Sequence, residues 1–210
     1  LRASSRWTGV LFSSALAVLY PSRCVGCGRT GRVFCPACRP AADSARRLRG
    51  GALPVLAAGR YAGVLRRAVL LYKRGRRDAG EALADLVSDS LGPLVPRDVV
   101  LVPVPTTARR RRARGFDQGA LLARGVGART GLPVLLVLAQ VAGDAQRGRS
   151  RAARLAGRNR FGCTAPDLVA GARVLIVDDV MTTGATLHDA ARVLTRSGAH
   201  VLGAVVIAYA

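Results

Sequence analysis

Residues 173–187 read RVLIVDDVMTTGATL, and the rest of the chain can be read outward from them. Val174, Leu175, Ile176 and Val177 are an unbroken apolar, mostly β-branched run, the pattern of a parallel strand of about five residues buried on both faces. The run ends in two adjacent carboxylates, Asp178 and Asp179. A hydroxyl- and glycine-rich turn follows, Thr182-Thr183-Gly184-Ala185-Thr186, and then a helical period at Leu187, Ala190, Ala191 and Leu194. Free N–H groups at a helix start favour a phosphate, the threonines add donors, and Gly184 allows close backbone approach. The carboxylates suit sugar hydroxyls or a magnesium ion beside the phosphate. An acidic strand end with a Thr-rich cap also serves ordinary strand-to-helix loops. The full order favours the ligand reading.

This stretch resembles the phosphoribosyl pyrophosphate (PRPP) signature of the type I phosphoribosyltransferases. There a hydrophobic strand, two acids and a T-x-G-x-T-like loop bind PRPP.

The 210 residues suffice for one α/β domain and a small appendage. Half are hydrophobic but only 4% aromatic, so the core must be built from Val, Leu and Ala. There are 33 basic and 12 acidic residues, a formal net charge of +21, and Lys73 is the only lysine. Such a chain attracts polyanions, whether nucleic acid, phosphorylated metabolites or an anionic membrane; the charge alone selects none of them. Residues 7–20 are apolar after Arg2 and Arg6, yet short for a membrane span and without a small-x-small cleavage pattern. An amphipathic N-terminal helix over residues 1–21 is favoured over a signal peptide, and the protein is expected to be cytoplasmic without a membrane span.

Cys24, Cys27, Cys35 and Cys38 give C-x2-C-x7-C-x2-C, two knuckles able to close a tetrahedral thiolate site in residues 22–40. Two disulfides are the alternative; nothing marks the chain as secreted, which favours structural zinc. Residues 41–52 look like a linker to a domain over 53–210. In that domain a strand is expected over Leu53–Tyr61, helices over 63–74 and Ala79–Leu91, and a buried strand over Asp98–Val104. The arginine-rich loop TTARRRRARGFDQG comes next, where an α/β sheet puts its ligands. It reads either as a solvated basic face or as a cradle for an anion, and not all its arginines can point inward. A helix from about Gln118 to Thr130 and a strand over Leu132–Leu138 follow. Residues 139–165 form a long irregular stretch with six arginines, and Ala199–Ala208 is a last buried strand.

LYPSRC-x2-C with its second C-x2-C, LLYKRGR, VPVP-x3-R-x4-RGFDQ, and Q-x4-R-x2-R-x3-RN-x-F before VDDVMTTGAT stand in a fixed order. That order resembles the ComF family (ComF/GntX), phosphoribosyltransferase-like proteins with an N-terminal zinc module. The implied fold is a type I phosphoribosyltransferase, a Rossmann-like, mostly parallel sheet flanked by helices. The implied site has Asp178 and Asp179 on the ribose hydroxyls, with Thr182, Thr183, Gly184, Ala185 and Thr186 around the 5′-phosphate. Arg109 and Arg114 take the pyrophosphate side, and Arg151, Arg154 and Arg158 lie in a flexible loop. Implied cofactors are Zn2+ on the four cysteines and Mg2+ with PRPP. The implied activity is phosphoribosyl transfer to an unknown acceptor. The alternative is a non-catalytic competence factor that binds single-stranded DNA during uptake, with competence machinery proteins as partners. Oligomeric state is not read from the sequence.

Overall fold

The computed structural model describes residues 22–40, 46–50, 53–92, 95–141 and 160–210. The chain divides into two compact units, Leu1–Arg39 and Pro40–Ala210. The expected helix over residues 1–21 lies outside the described residues.

The larger unit is a five-stranded sheet of order β1-β2-β7-β6-β3. Its strands are β1 (Arg46–Gly50), β2 (Leu53–Ala57), β3 (Val99–Pro103), β6 (Arg173–Met181) and β7 (His200–Tyr209). The β2–β7, β7–β6 and β6–β3 pairs are parallel, and β1 joins β2 antiparallel at the edge. Helices α1 (Gly63–Lys73), α2 (Arg77–Leu91), α3 (Ala108–Arg114), α4 (Gln118–Thr130) and α5 (Ala185–Arg196) connect them. Val174, Leu175, Ile176 and Val177 are all buried, as a central strand covered on both faces requires. Val102, Val174, Ile176, Ala204 and Val206 share a core cluster with Leu187, Ala190 and Leu194 of α5. Helices α2 and α4 pack together, and α4 packs on β3 and β6. No helix among the described residues is long and apolar enough to cross a membrane.

Several sequence expectations need correcting. Strand β6 does not stop at the acidic pair; it runs nine residues, pairing with β7 as far as Met181↔Tyr209. Its β3 side ends sooner, at Pro103↔Val177, so Asp178 and Asp179 stand on a strand that outruns one neighbour. The expected linker contains β1, whose RRLRG has a single apolar residue and is defined by backbone pairing with β2. The arginine run is a short helix, α3, and not a loop. The Thr107 side chain accepts from the Arg110 N–H at its start, and Gly115, at φ 79°, ends it. Residues 132–138 give one parallel bridge, Val134↔Leu101, in place of a full strand. The stretch 139–165 has structure at both ends: β4 (Leu138–Gln140) pairs antiparallel with β5 (Phe161–Cys163). Arg151, Arg154 and Arg158 lie outside the described residues.

The smaller unit brings the four cysteines together. An antiparallel bridge, Arg23↔Thr30, closes the first knuckle, and the Cys38 N–H donates to the Cys35 carbonyl at 2.9 Å in the second.

Candidate functional site

The parallel strands all deliver their carboxyl ends to one edge of the sheet, and a cleft of about 1140 Å3 opens there. Asp178 and Asp179 of β6 form its acidic wall, with Thr182 and Thr186 beyond them. Thr183, Gly184 and Ala185 belong to the same turn without lining the cleft: Thr183 Oγ1 accepts from the Ala185 N–H at 3.4 Å. Gly184, at φ 76°, is the residue that caps α5, and no side chain caps that helix. A left-handed backbone there admits glycine without the strain a Cβ would bring.

Much of the remaining lining is cationic. Arg109, Arg110 and Arg114 line the cleft, and Arg111 and Arg112 do not, so α3 turns part of its arginine run inward. The helix is held by the segment around it. Asp117 accepts from the Thr106 N–H at 3.1 Å and from the Ala120 N–H at 3.1 Å, fixing the β3 exit to the start of α4. At Gly119 a Cβ would stand 2.1 Å from the Val104 carbonyl oxygen, so only glycine lets α4 approach β3 this closely. Arg160, beside β5, also lines the cleft and donates to Thr186 Oγ1 at 3.4 Å.

Three functional candidates went unassigned in the sequence. Lys73, at the end of α1, reaches across to pair with Asp179 at 2.9 Å. Gln118 lines the cleft and is 3% exposed, and Arg110 joins the cationic lining. The motifs LLYKRGR and RGFDQ contain Lys73 and Gln118, but nothing local in them says that they meet the acidic pair or the arginines. His188 and His200 are exposed and do not line the cleft.

Burial and the charge of Asp179 raise the Asp178 carboxyl to about 7, against the pull of Lys73. Asp179 shares its negative charge with Lys73, and its Oδ1 accepts from the Val180 N–H at 2.6 Å. Asp178 thus resists ionisation until a cation arrives.

In the smaller unit the thiol sulfurs of Cys24, Cys27, Cys35 and Cys38 all lie within 4.8 Å of one another, and none is in a disulfide. The Cys24 sulfur accepts from the Gly26 N–H at 3.4 Å and the Cys35 N–H at 3.5 Å. Hydrogen bonds from the Cys35 backbone, and then the Cys27 backbone, lower its thiol to about 6. Four converging sulfurs, one favoured as thiolate, fit a metal ion.

An acidic strand, a glycine-capped helix start and a cationic lining at the carboxyl edge of a parallel sheet define a phosphoribosyltransferase-like domain. Residues 113–210 match the family model described as "Phosphoribosyl transferase domain". The chain is similar to the ComF proteins of the type I phosphoribosyltransferase-like class. It is 31% identical over 126 residues to the competence protein ComFC of Bacillus subtilis, a match covering 60% of this chain and 50% of that protein. A shorter stretch is 58% identical over 41 residues to an adenine phosphoribosyltransferase of Arthrobacter, covering 20% of this chain and 22% of that one. The chain thus spans half or less of the length of these relatives. Among solved structures, an allosteric regulatory enzyme of purine biosynthesis matches at 25% identity and a TM-score of 0.46, over 61% of this chain and 26% of that one. An adenine phosphoribosyltransferase from Thermoanaerobacter pseudethanolicus matches at 13% identity and a TM-score of 0.40, over 80% and 96%.

Proposed function

We propose that the cleft binds PRPP and transfers its phosphoribosyl group, with release of pyrophosphate, to an acceptor the chain does not identify. The observation that carries this reading is that the acidic pair of β6 and the arginines of α3 line one cleft. Asp178 and Asp179 would take the ribose hydroxyls and hold a divalent cation such as Mg2+, which when bound offsets phosphate charge. The turn Thr182–Thr186 and the open start of α5 suit the 5′-phosphate. Arg109 and Arg114, with Arg110, suit the diphosphate.

The chemistry these residues can support is bond cleavage at the anomeric carbon. The C1–O bond breaks, its electron pair leaves with pyrophosphate, and the acceptor's lone pair forms the new bond to C1. Positive charge develops on the ring as negative charge collects on the leaving group. The arginines lower the barrier by meeting that leaving charge with fixed donors, and no nucleophilic side chain is needed.

Calorimetric titration with PRPP and magnesium tests the reading. Wild type is expected to bind only with the metal, and Asp178→Ala with Asp179→Ala to lose affinity ~100-fold or more. Binding of the double variant equal to wild type would refute the cradle. Pyrophosphate release with candidate acceptors then separates turnover from binding alone.

A second reading makes the protein a non-catalytic competence factor on single-stranded DNA. The name of its relative ComFC and the +21 charge favour it. Stacking aromatics are few among the described residues of the larger unit: Tyr72 and Phe161 are 1% and 2% exposed, leaving Tyr61, Phe116 and Tyr209 half-buried. Salt-sensitive binding of an oligonucleotide, lost on Arg→Ala changes at 109–114, would support it. For the smaller unit we propose a structural Zn2+ on the four cysteines, without an open position for chemistry.

A further inference from the structure

We propose that Gln118 is a positioning residue that holds the Arg114 guanidinium in the cleft for the diphosphate end of the ligand; this rests on the phosphoribosyl reading above. Gln118 is the buried polar residue of the described core, at 3% exposure. Its Oε1 accepts a hydrogen bond from Arg114 Nη1, and both residues line the cleft. Arginine has only donors, so the amide oxygen must face it and the amide nitrogen must point away. That nitrogen is buried and has no hydrogen-bond partner among the described residues.

The orphaned nitrogen shows what Gln118 is not for. A buried, unpaired amide is destabilising, so an apolar side chain of equal volume would suit stability better. The residue is instead pinned at its backbone. Its carbonyl accepts from Tyr72 Oη at 2.6 Å, and its N–H donates to Thr106 Oγ1 at 3.2 Å. Tyr72 is itself fixed: it is 1% exposed, and its ring would stand 2.8 Å from a Cβ at Gly80. Gln118 thus offers Arg114 an acceptor that cannot wander. A guanidinium held in place before the ligand arrives loses less freedom on binding. The next residue along α1 is Lys73, on Asp179, so one helix end braces both the acidic and the cationic lining of the cleft.

Two ligands are titrated in magnesium, inorganic pyrophosphate and PRPP, against wild type, Gln118→Met, Arg114→Ala and the double variant. Melting temperatures are measured alongside. Gln118→Met is expected to weaken both ligands about tenfold, the loss of one charge-assisted contact's worth of order, without lowering the melting temperature. In the Arg114→Ala background the same change is expected to have no further effect on binding. Wild-type affinity in Gln118→Met, or an undiminished effect in the Arg114→Ala background, overturns the proposal. So does a fall in melting temperature that tracks the loss of binding, or failure of both Gln118→Met and Gln118→Leu to fold, because the residue is then structural. If wild type binds pyrophosphate but not PRPP, the phosphoribosyl reading fails, and the role of Gln118 is decided on pyrophosphate alone. If it binds neither, both fail.

Discussion

Asp178 is the residue on which stability and function pull in opposite directions. Its carboxyl is raised from 3.8 to about 7, first by burial and then by Asp179, so the folded chain holds a proton that the unfolded chain has released. Stability from this group is therefore complete below about pH 4 and is lost as pH rises through about 7. Asp178→Asn should melt ~3–6 °C above wild type at pH 8, with the gap narrowed at pH 5 and closed below about pH 4, in circular dichroism melts across that range. The same variant should lose magnesium-dependent PRPP binding. Lys73 gives a second test at this scale. It is the one lysine of the sequence, so side-chain acylation by an amine reagent should map to it, and PRPP with magnesium should slow that acylation, as read by peptide mass spectrometry.

Among the elements, the meeting of α4 with the end of β3 is the least forgiving. A Cβ at Gly119 would lie 2.1 Å from the Val104 carbonyl, a backbone atom that cannot rotate aside. Gly119→Ala should cost ~2–3 kcal/mol or more and displace α4 from β3, visible as an earlier urea midpoint. What was legible in the sequence follows from how each element is held. Strands β3, β6 and β7 declare themselves because burial on both faces makes unbroken apolar runs, and α2 and α4 show their apolar period. Strand β1 does not, because a backbone ladder to β2 defines it and RRLRG carries one apolar side chain. Helix α3 buries no residue, so it has no apolar stripe; its marks are Thr107 and Gly115 at its ends. In the site, the acidic pair and the threonine turn are neighbours in sequence and could be read together. Lys73 and Gln118 gain their meaning only when folding brings α1 and α4 to the cleft.

At the scale of the whole molecule, the two units call for separate tests. The thiol cluster should hold one zinc per chain by metal analysis, and a chelator should expose residues 22–40 to protease while the melting of the larger unit is unchanged. The larger unit's cleft has a further property, its charge balance. Lys73, Arg109, Arg110, Arg114 and Arg160 face only Asp178 and Asp179 among the described lining residues, an excess of three positive charges when both acids are ionised. A sugar phosphate carrying a diphosphate has a charge of about −5, and one divalent ion brings the pair to about −3. Loaded, the site would be electroneutral; empty, it is a self-repelling cluster. Ligand should therefore raise the melting temperature more in dilute buffer than in half-molar salt, where mobile anions already do part of that neutralising.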